Sequence, residues 1–242
     1  MNEPVNDTTT PPALGRTKAG FGEDAKQLPL HGRKAVLLIS VGQRYHEGDK
    51  LQATVDLANR SGFGQVTIAV ADTLQRTNYT GLPPEQAYAQ ALAAGDAWLA
   101  RNAAILDRLT MSHPVLRWDQ ALRDPMYPVF RERIEHAYHH EPDYRQAVHA
   151  TVARFLDRLL ARRPDTDTLA AFHDCLAYLI EELPLIMPTW AHRGHDYVIY
   201  PQPMTTAMAE TRRRFVATGF PGKAAWLSLR FKKRALSPGL AA

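Results

Sequence analysis

The sequence contains one cysteine, Cys175, so it can form no intramolecular disulfide and offers no CxxC or cysteine cluster for zinc. Long apolar runs are also missing. None reaches the roughly 20 residues of a membrane-spanning helix, and the opening MNEPVNDTTTPP lacks the apolar centre of a secretory signal. These absences point to a cytoplasmic protein with no membrane partner. No G-x-G-x-x-G or Walker loop follows the first apolar stretch, so a dinucleotide or nucleoside triphosphate role has no motif behind it. The G-x-S-x-G elbow of serine hydrolases is absent as well. The ten histidines show no metal-ligand spacing: His192 and His195 are close but lack a third ligand, and the adjacent His139 and His140 diverge on a helix. The charge excess is small, 29 Lys and Arg against 25 Asp and Glu, which suits an anionic partner without demonstrating one.

What is present is an alternation of short apolar runs and amphipathic stretches. Residues 1–32, polar and then Gly-bearing, read as a flexible lead. KAVLLIS, Lys34 to Ser40, is a continuous apolar run of the kind buried on both faces of a sheet. A Gly-bearing loop, a helix over 49–60 and a second buried strand over 65–72 complete a βαβ unit, which requires a parallel sheet. A long helix over 84–110 opens on Pro84, well placed in a first turn. A short strand at 114–118 follows, then helices near 126–140, 142–162 and 166–183, the last ending before Pro184. DYVIYPQP, 196–203, is another strand, and AAWLSLRF, 224–231, alternates as a last strand at the sheet edge. The expected architecture is α/β, a Rossmann-like parallel sheet flanked by helices. One domain spans 33–234, followed by a loose tail over 235–242. Such sheets bind ligands beyond the carboxyl ends of their strands, where Ser40 lies.

Ser40, followed by Gly42, can present its hydroxyl beside backbone N–H groups, a geometry for attack on an acyl carbon. From spacing alone, a loop-initiating serine bonded to its own turn is the commoner outcome. Tyr178 and Glu182 are four residues apart and share a helix face with Cys175 and Leu185, a face that looks inward. A carboxylate buried there needs a partner, and a substrate ammonium would serve; a surface salt bridge is the plainer alternative. Glu181 reads as the exposed neighbour. Tyr200 ends a strand before Pro201 and could relay a proton, or simply pack at the sheet margin. Cys175 reads as a packed helix residue. Arginines cluster at Arg117, Arg123, Arg131 and Arg133, at Arg154, Arg158, Arg162 and Arg163, and at Arg212, Arg213 and Arg214. Basic helices can follow phosphates, though interleaved acids make solvated faces an equal reading.

Taken together, ISVGQRYHEGDK at 39–50, YLIEELPL at 178–185 and VIYPQP at 198–203 resemble the tRNA-dependent cyclodipeptide synthases. That family carries a strand-end serine in a Gly-containing loop, then Tyr-x-x-x-Glu-x-Pro, then Tyr followed by His or Pro. The matching residues here are Ser40; Tyr178, Glu182 and Pro184; and Tyr200 with Pro201. The stretch with Arg131, Glu132 and Arg133 is also similar. Gln43 in the serine loop, together with Tyr200-Pro201, resembles the branch that lacks the loop asparagine. The resemblance implies a fold like the catalytic domain of class I aminoacyl-tRNA synthetases, without their H-I-G-H and K-M-S-K-S signatures. It implies two aminoacyl-tRNAs as substrates and a cyclic dipeptide as product. The route is ping-pong, through aminoacyl-Ser40 and dipeptidyl-Ser40, with no cofactor or metal, and a monomer suffices. Tyr178 and Glu182 would hold the substrate ammonium, and Tyr200 would relay a proton. Gly42, Gln43 and Pro201 would border the substrate, while Val36, Leu38 and Ile68 would wall the first amino acid, with Leu38 favouring a small one. A serine acyl hydrolase and a non-catalytic RNA-binding protein remain as rivals.

Overall fold

The computed structural model describes residues 17–25, 27–79, 81–216 and 220–233. Six strands form one sheet: β1 (Thr17–Phe21), β2 (Lys34–Ser40), β3 (Gln65–Ala71), β4 (Val115–Arg117), β5 (Tyr197–Tyr200) and β6 (Ala225–Lys233). Their order is β1-β6-β5-β2-β3-β4. The ladders from β6 through β4 are all parallel, with Lys34 to Ser40 of β2 paired in register against Gln65 to Ala71 of β3. The helices are α1 (Gly48–Ser61), α2 (Pro84–Leu106), α3 (Trp118–Ala121), α4 (Met126–His140), α5 (Pro142–Leu160), α6 (Thr168–Pro184), α7 (Trp190–His192) and α8 (Thr206–Phe215). No helix among the described residues is long and apolar enough to cross a membrane.

The strand alternation sorts side chains into two layers. Ala35, Leu37 and Ile39 pack with Val66, Ile68 and Val70 against Leu51 and Val55 of α1 and Trp98 of α2. Val36 and Leu38 pack with Ala69 and Ala71 against Ile134, Tyr144, Val148, Leu179 and Leu183 on the opposite side. Successive strand residues point to opposite faces, so Ser40 shares the second face with Val36 and Leu38. Ile68, expected beside Ser40, pairs with Leu37 and belongs to the first layer. Its even number places it opposite an odd residue of β2, and the register, invisible in sequence, assigns its face.

Chain order makes one position special. From β2 the chain runs outward through α1, β3, α2 and β4, then returns to place β5 on the other side of β2. The crevice between the carboxyl ends of β2 and β5 is therefore the topological switch point, the usual ligand position in such sheets.

Three expectations are corrected. Residues 17–21 were expected within a flexible lead but form β1, antiparallel to β6 with Thr17 opposite Lys233 and Phe21 opposite Leu229. Its five residues carry no apolar run and are ordered by a partner more than 200 residues away. By the same pairing β6 is interior to the sheet rather than its edge. The helix ending at Glu182–Pro184 does not stop there: Leu185–Thr189 continues as a π-turn into α7. In an α-helix the Pro184 carbonyl would accept from residue 188, a proline without an N–H. The Thr189 hydroxyl donates to it instead, at 2.8 Å. Residues 1–16 of the expected lead, and the expected tail over 235–242, lie outside the described residues.

Candidate active site

At the end of β2 the chain turns sharply. The Gln43 N–H donates to the Ser40 carbonyl at 3.3 Å, and Gly42 sits at φ 86°, the sign a type II turn demands at its third residue. A short 3₁₀ turn, Arg44–His46, then folds the chain back over Ser40. The Ser40 N–H donates to Nδ1 of His46 at 2.9 Å. Burial drives the His46 pKa down to about 3, so the imidazole is neutral, with its proton on Nε2. The Trp98 indole N–H donates to the His46 carbonyl at 3.0 Å and ties this turn to α2.

Across the switch point, β5 brings Tyr200 to Ser40. Ser40 Oγ and the Tyr200 hydroxyl are 3.0 Å apart, and the Tyr200 and Tyr45 hydroxyls are 2.9 Å apart. Three hydroxyls thus form a continuous chain, with Ser40 nearly buried and the two tyrosines half-buried. Burial raises the pKa of both phenols, so they stay protonated at neutral pH. Pro201 follows and ends the strand. The Tyr200 ring packs on Trp226, whose indole N–H donates to the Gln202 carbonyl at 2.8 Å.

Helix α6 supplies the third wall. Tyr178 and Glu182 share its inward face, Glu182 buried and Tyr178 half-buried. Gln75 donates to the Tyr178 hydroxyl at 3.2 Å, leaving the phenol its own proton to donate elsewhere. The Glu182 carboxyl forms no hydrogen bond or ion pair with the described residues, and burial pushes its pKa up to about 8. It acts electrostatically on Tyr45, Tyr178 and Tyr200, and so lies near all three.

The neighbouring carboxylate behaves oppositely. Glu181, expected to be exposed, is 9% exposed. It accepts from Arg76 at 2.8 and 2.5 Å and from the Trp118 indole at 3.1 Å. Its position one residue on from Ile180 turns it toward the 73–78 turn beyond β3, a packing partner no helical periodicity reveals.

The structure thus brings Ser40, Tyr178, Glu182 and Tyr200 together. Val36 and Leu38 lie beneath Ser40 on its own face, while the Gly42 backbone and Gln43 rim the turn, both exposed. Ile68 is on the far side of the sheet. Sequence reasoning missed Tyr45, His46 and Gln75. Tyr45 and His46 lie inside the stretch 39–50 that carries the resemblance, and an aromatic pair five and six residues past a strand-end serine was the available signal.

Three basic clusters diverge in the same way. Arg131 pairs with Glu135, Arg123 with Asp119, Arg213 with Glu210, and Arg214 with Glu210 and Glu141. Arg117 is held by Asp72 and Asp96. Arg154, Arg158, Arg162 and Arg163, along the second half of α5 and just beyond it, are exposed and pair with no carboxylate among the described residues. Arg158 is near enough to Tyr45 to lower its pKa against the effect of burial.

A serine at the switch point of a parallel sheet, with two tyrosine hydroxyls in line and an unpaired carboxyl nearby, marks an α/β fold without a hydrolase triad at this serine. The sequence profile of the cyclodipeptide synthase family matches residues 17–215, and the chain belongs to that family of aminoacyltransferases. A cyclodipeptide synthase from Fluoribacter dumoffii superposes with a TM-score of 0.83 at 33% identity, covering 90% of this chain and 99% of that one. The cyclodipeptide synthase from Candidatus Glomeribacter gigasporarum bound to Phe-tRNAPhe gives 0.73 at 17% identity, over 91% of this chain and 97% of its own. The tyrosyl-tRNA synthetase of Archaeoglobus fulgidus gives 0.51 at 14% identity, over 82% of this chain and 55% of that one, a likeness of fold. No curated protein matches the sequence.

Proposed function

We propose that this chain joins two aminoacyl groups delivered by tRNA into a cyclic dipeptide, with Ser40 as the covalent carrier. The observation that carries the reading is the 3.0 Å contact between Ser40 Oγ and the Tyr200 hydroxyl across the switch point, beside a buried carboxyl without a countercharge. The relatives' use of charged tRNA supports the choice of substrate: one solved family member holds Phe-tRNAPhe.

In the first step Ser40 Oγ attacks the ester carbon of an aminoacyl-tRNA; the bond from that carbon to Ser40 Oγ forms and its bond to the ribose oxygen breaks. The exposed Gly42 N–H would face the oxyanion. Glu182 and Tyr178 hold the α-amine, which fixes the ester against Ser40. Burial raises the Glu182 pKa to about 8, so before substrate binds the carboxyl is protonated near neutral pH; pairing with the substrate ammonium ionises it, and the carboxylate can then take a proton from that amine. The freed amine attacks the second aminoacyl-tRNA; the N–C bond forms, the bond from the acyl carbon to the ribose oxygen breaks, that oxygen takes the proton held by Glu182, and a dipeptidyl-Ser40 remains. The new terminal amine then attacks the Ser40 ester, closing the six-membered ring and returning the proton to Ser40 through Tyr200. Leu38, directly below Ser40, would floor the first side-chain pocket, with Val36 behind it. The unpaired arginines of α5 would follow the tRNA phosphates.

A hydrolase would need a base on the serine hydroxyl. The histidine bonded to Ser40 gives its Nδ1 to the backbone N–H instead, which counts against that rival. The test is mass spectrometry of medium from bacteria expressing the protein beside a Ser40→Ala strain. Diketopiperazines that vanish in the variant are expected. Their absence from both strains, with purified protein inert toward a mixture of charged tRNAs, would leave RNA binding as the function.

A further inference from the structure

The proposed chemistry leaves one question open: where the Ser40 proton goes when no histidine or carboxylate touches its hydroxyl. We infer that Tyr45 is the outer member of a three-hydroxyl relay, passing the proton lost from Ser40 outward to the departing ribose oxygen. The inference rests on the assignment of Ser40 as acyl carrier and adds a catalytic residue to it.

The geometry supplies each link. Ser40 Oγ meets the Tyr200 hydroxyl at 3.0 Å, and that hydroxyl meets Tyr45 at 2.9 Å. A hydroxyl donates one proton and accepts another, so the chain can run in one sense: Ser40 to Tyr200, Tyr200 to Tyr45, Tyr45 to the leaving oxygen. As the serine C–O bond forms, each O–H proton moves one place. The ribose oxygen, taking the electron pair of the broken C–O bond, takes the last proton. No net charge forms on either phenol, which suits groups whose burial opposes ionisation. When the ring closes, the attacking amine gives up its proton to Tyr45, and the chain runs backward, Tyr45 to Tyr200 to Ser40, as the Ser40 ester bond breaks.

Placement matches this order. Ser40 lies at the buried end, and of the two half-buried tyrosines Tyr45 is the one on the loop. Arg158 of the unpaired α5 stripe acts on Tyr45, so the outer end of the chain faces the side where a tRNA backbone would approach. His46 seats the assembly: its ring lies 4.7 Å from that of Tyr45 and 5.6 Å from that of Tyr200, while its Nδ1 holds the Ser40 N–H. With Nδ1 so engaged, the imidazole is not the base.

The test is Tyr45→Phe, which keeps the ring and removes one oxygen. Single-turnover transfer from aminoacyl-tRNA to the enzyme should slow about 10- to 100-fold. Its proton inventory, the rate against the deuterium fraction of the solvent, should change from curved to linear as fewer protons move together. Binding of a non-hydrolysable, amide-linked aminoacyl-tRNA and the thermal midpoint should stay at wild-type values, which separates loss of the relay from loss of structure. An unchanged rate with an unchanged, curved inventory would overturn the relay while Ser40→Ala, measured alongside, remained inactive. Product from Ser40→Ala would overturn the acyl-carrier assignment and the relay with it.

Discussion

Two polar clusters lie at the carboxyl edge of the same sheet, and they are built on opposite rules. Beyond β3 every buried charge is matched: Asp72 accepts from Arg117 and from the N–H groups of Thr73 and Trp118, and Glu181 accepts from Arg76 and Trp118. Beyond β2 and β5, a few residues away, Glu182 acts electrostatically on Tyr45, Tyr178 and Tyr200, and no cation among the described residues pairs with its carboxyl. Buried polar groups are normally satisfied. The first cluster obeys that rule and fastens α6 to the sheet. The second leaves a carboxyl waiting for a charge, and an aminoacyl ammonium is a charge that arrives with the substrate. On the proposed function, adjacent residues on one helix, Glu181 and Glu182, divide structure from chemistry.

The largest effect expected from breaking this contrast is at Glu182. In the folded protein its pKa is raised from 4.5 to about 8, so the folded state holds the proton more tightly than the unfolded chain. The stabilisation is full below pH 4.5 and is lost as pH rises to about 8. Glu182→Gln removes that dependence. Denaturation of the two proteins from pH 5 to 9 should show the variant gaining on the wild type by on the order of a few kcal/mol at the alkaline end. Cyclic dipeptide formation by the variant should fall at least about 100-fold.

Glu181→Gln should do the reverse. It loses the charge that Arg76 meets, and because Arg76 is about one-third exposed the cost should be about 1–3 kcal/mol. The chemistry per folded molecule should be retained. Chemical denaturation paired with active-site titration measures both.

Leu38→Ala opens the floor beneath Ser40. The expected outcome is a shift of product toward bulkier first residues, with discrimination moving by about 1–3 kcal/mol per methylene accommodated. The cyclic dipeptides made from a mixed pool of charged tRNAs report it. The smallest expected effect is at the α5 stripe. Each of Arg154→Ala, Arg158→Ala, Arg162→Ala and Arg163→Ala should lower the slope of log affinity against log salt by about 1 if that arginine meets a phosphate. Arg131→Ala, already paired with Glu135, should leave the slope unchanged.

Much of this was readable from residues alone. KAVLLIS and QVTIAVAD declared buried parallel strands, and the i, i+4 spacing put Tyr178 and Glu182 on one face. What escaped were features decided by distant contacts. Ile68 and Leu38 look alike in sequence, and only the β2–β3 register assigns them to opposite layers. β1 has no signal of its own because β6 makes it a strand. Glu181 was read as exposed because its partners, Arg76 and Trp118, lie 105 and 63 residues away. Tyr45 and His46 gain meaning only once a 3₁₀ turn folds them back over Ser40.

The central claim is that Ser40 carries the aminoacyl group, and intact-protein mass spectrometry tests it directly. Purified protein mixed with one charged tRNA and quenched within a turnover should gain a single aminoacyl mass, mapped by peptide sequencing to Ser40 and absent from Ser40→Ala. Cyclic dipeptide formed without any adduct, or with the adduct on another residue, would contradict the account.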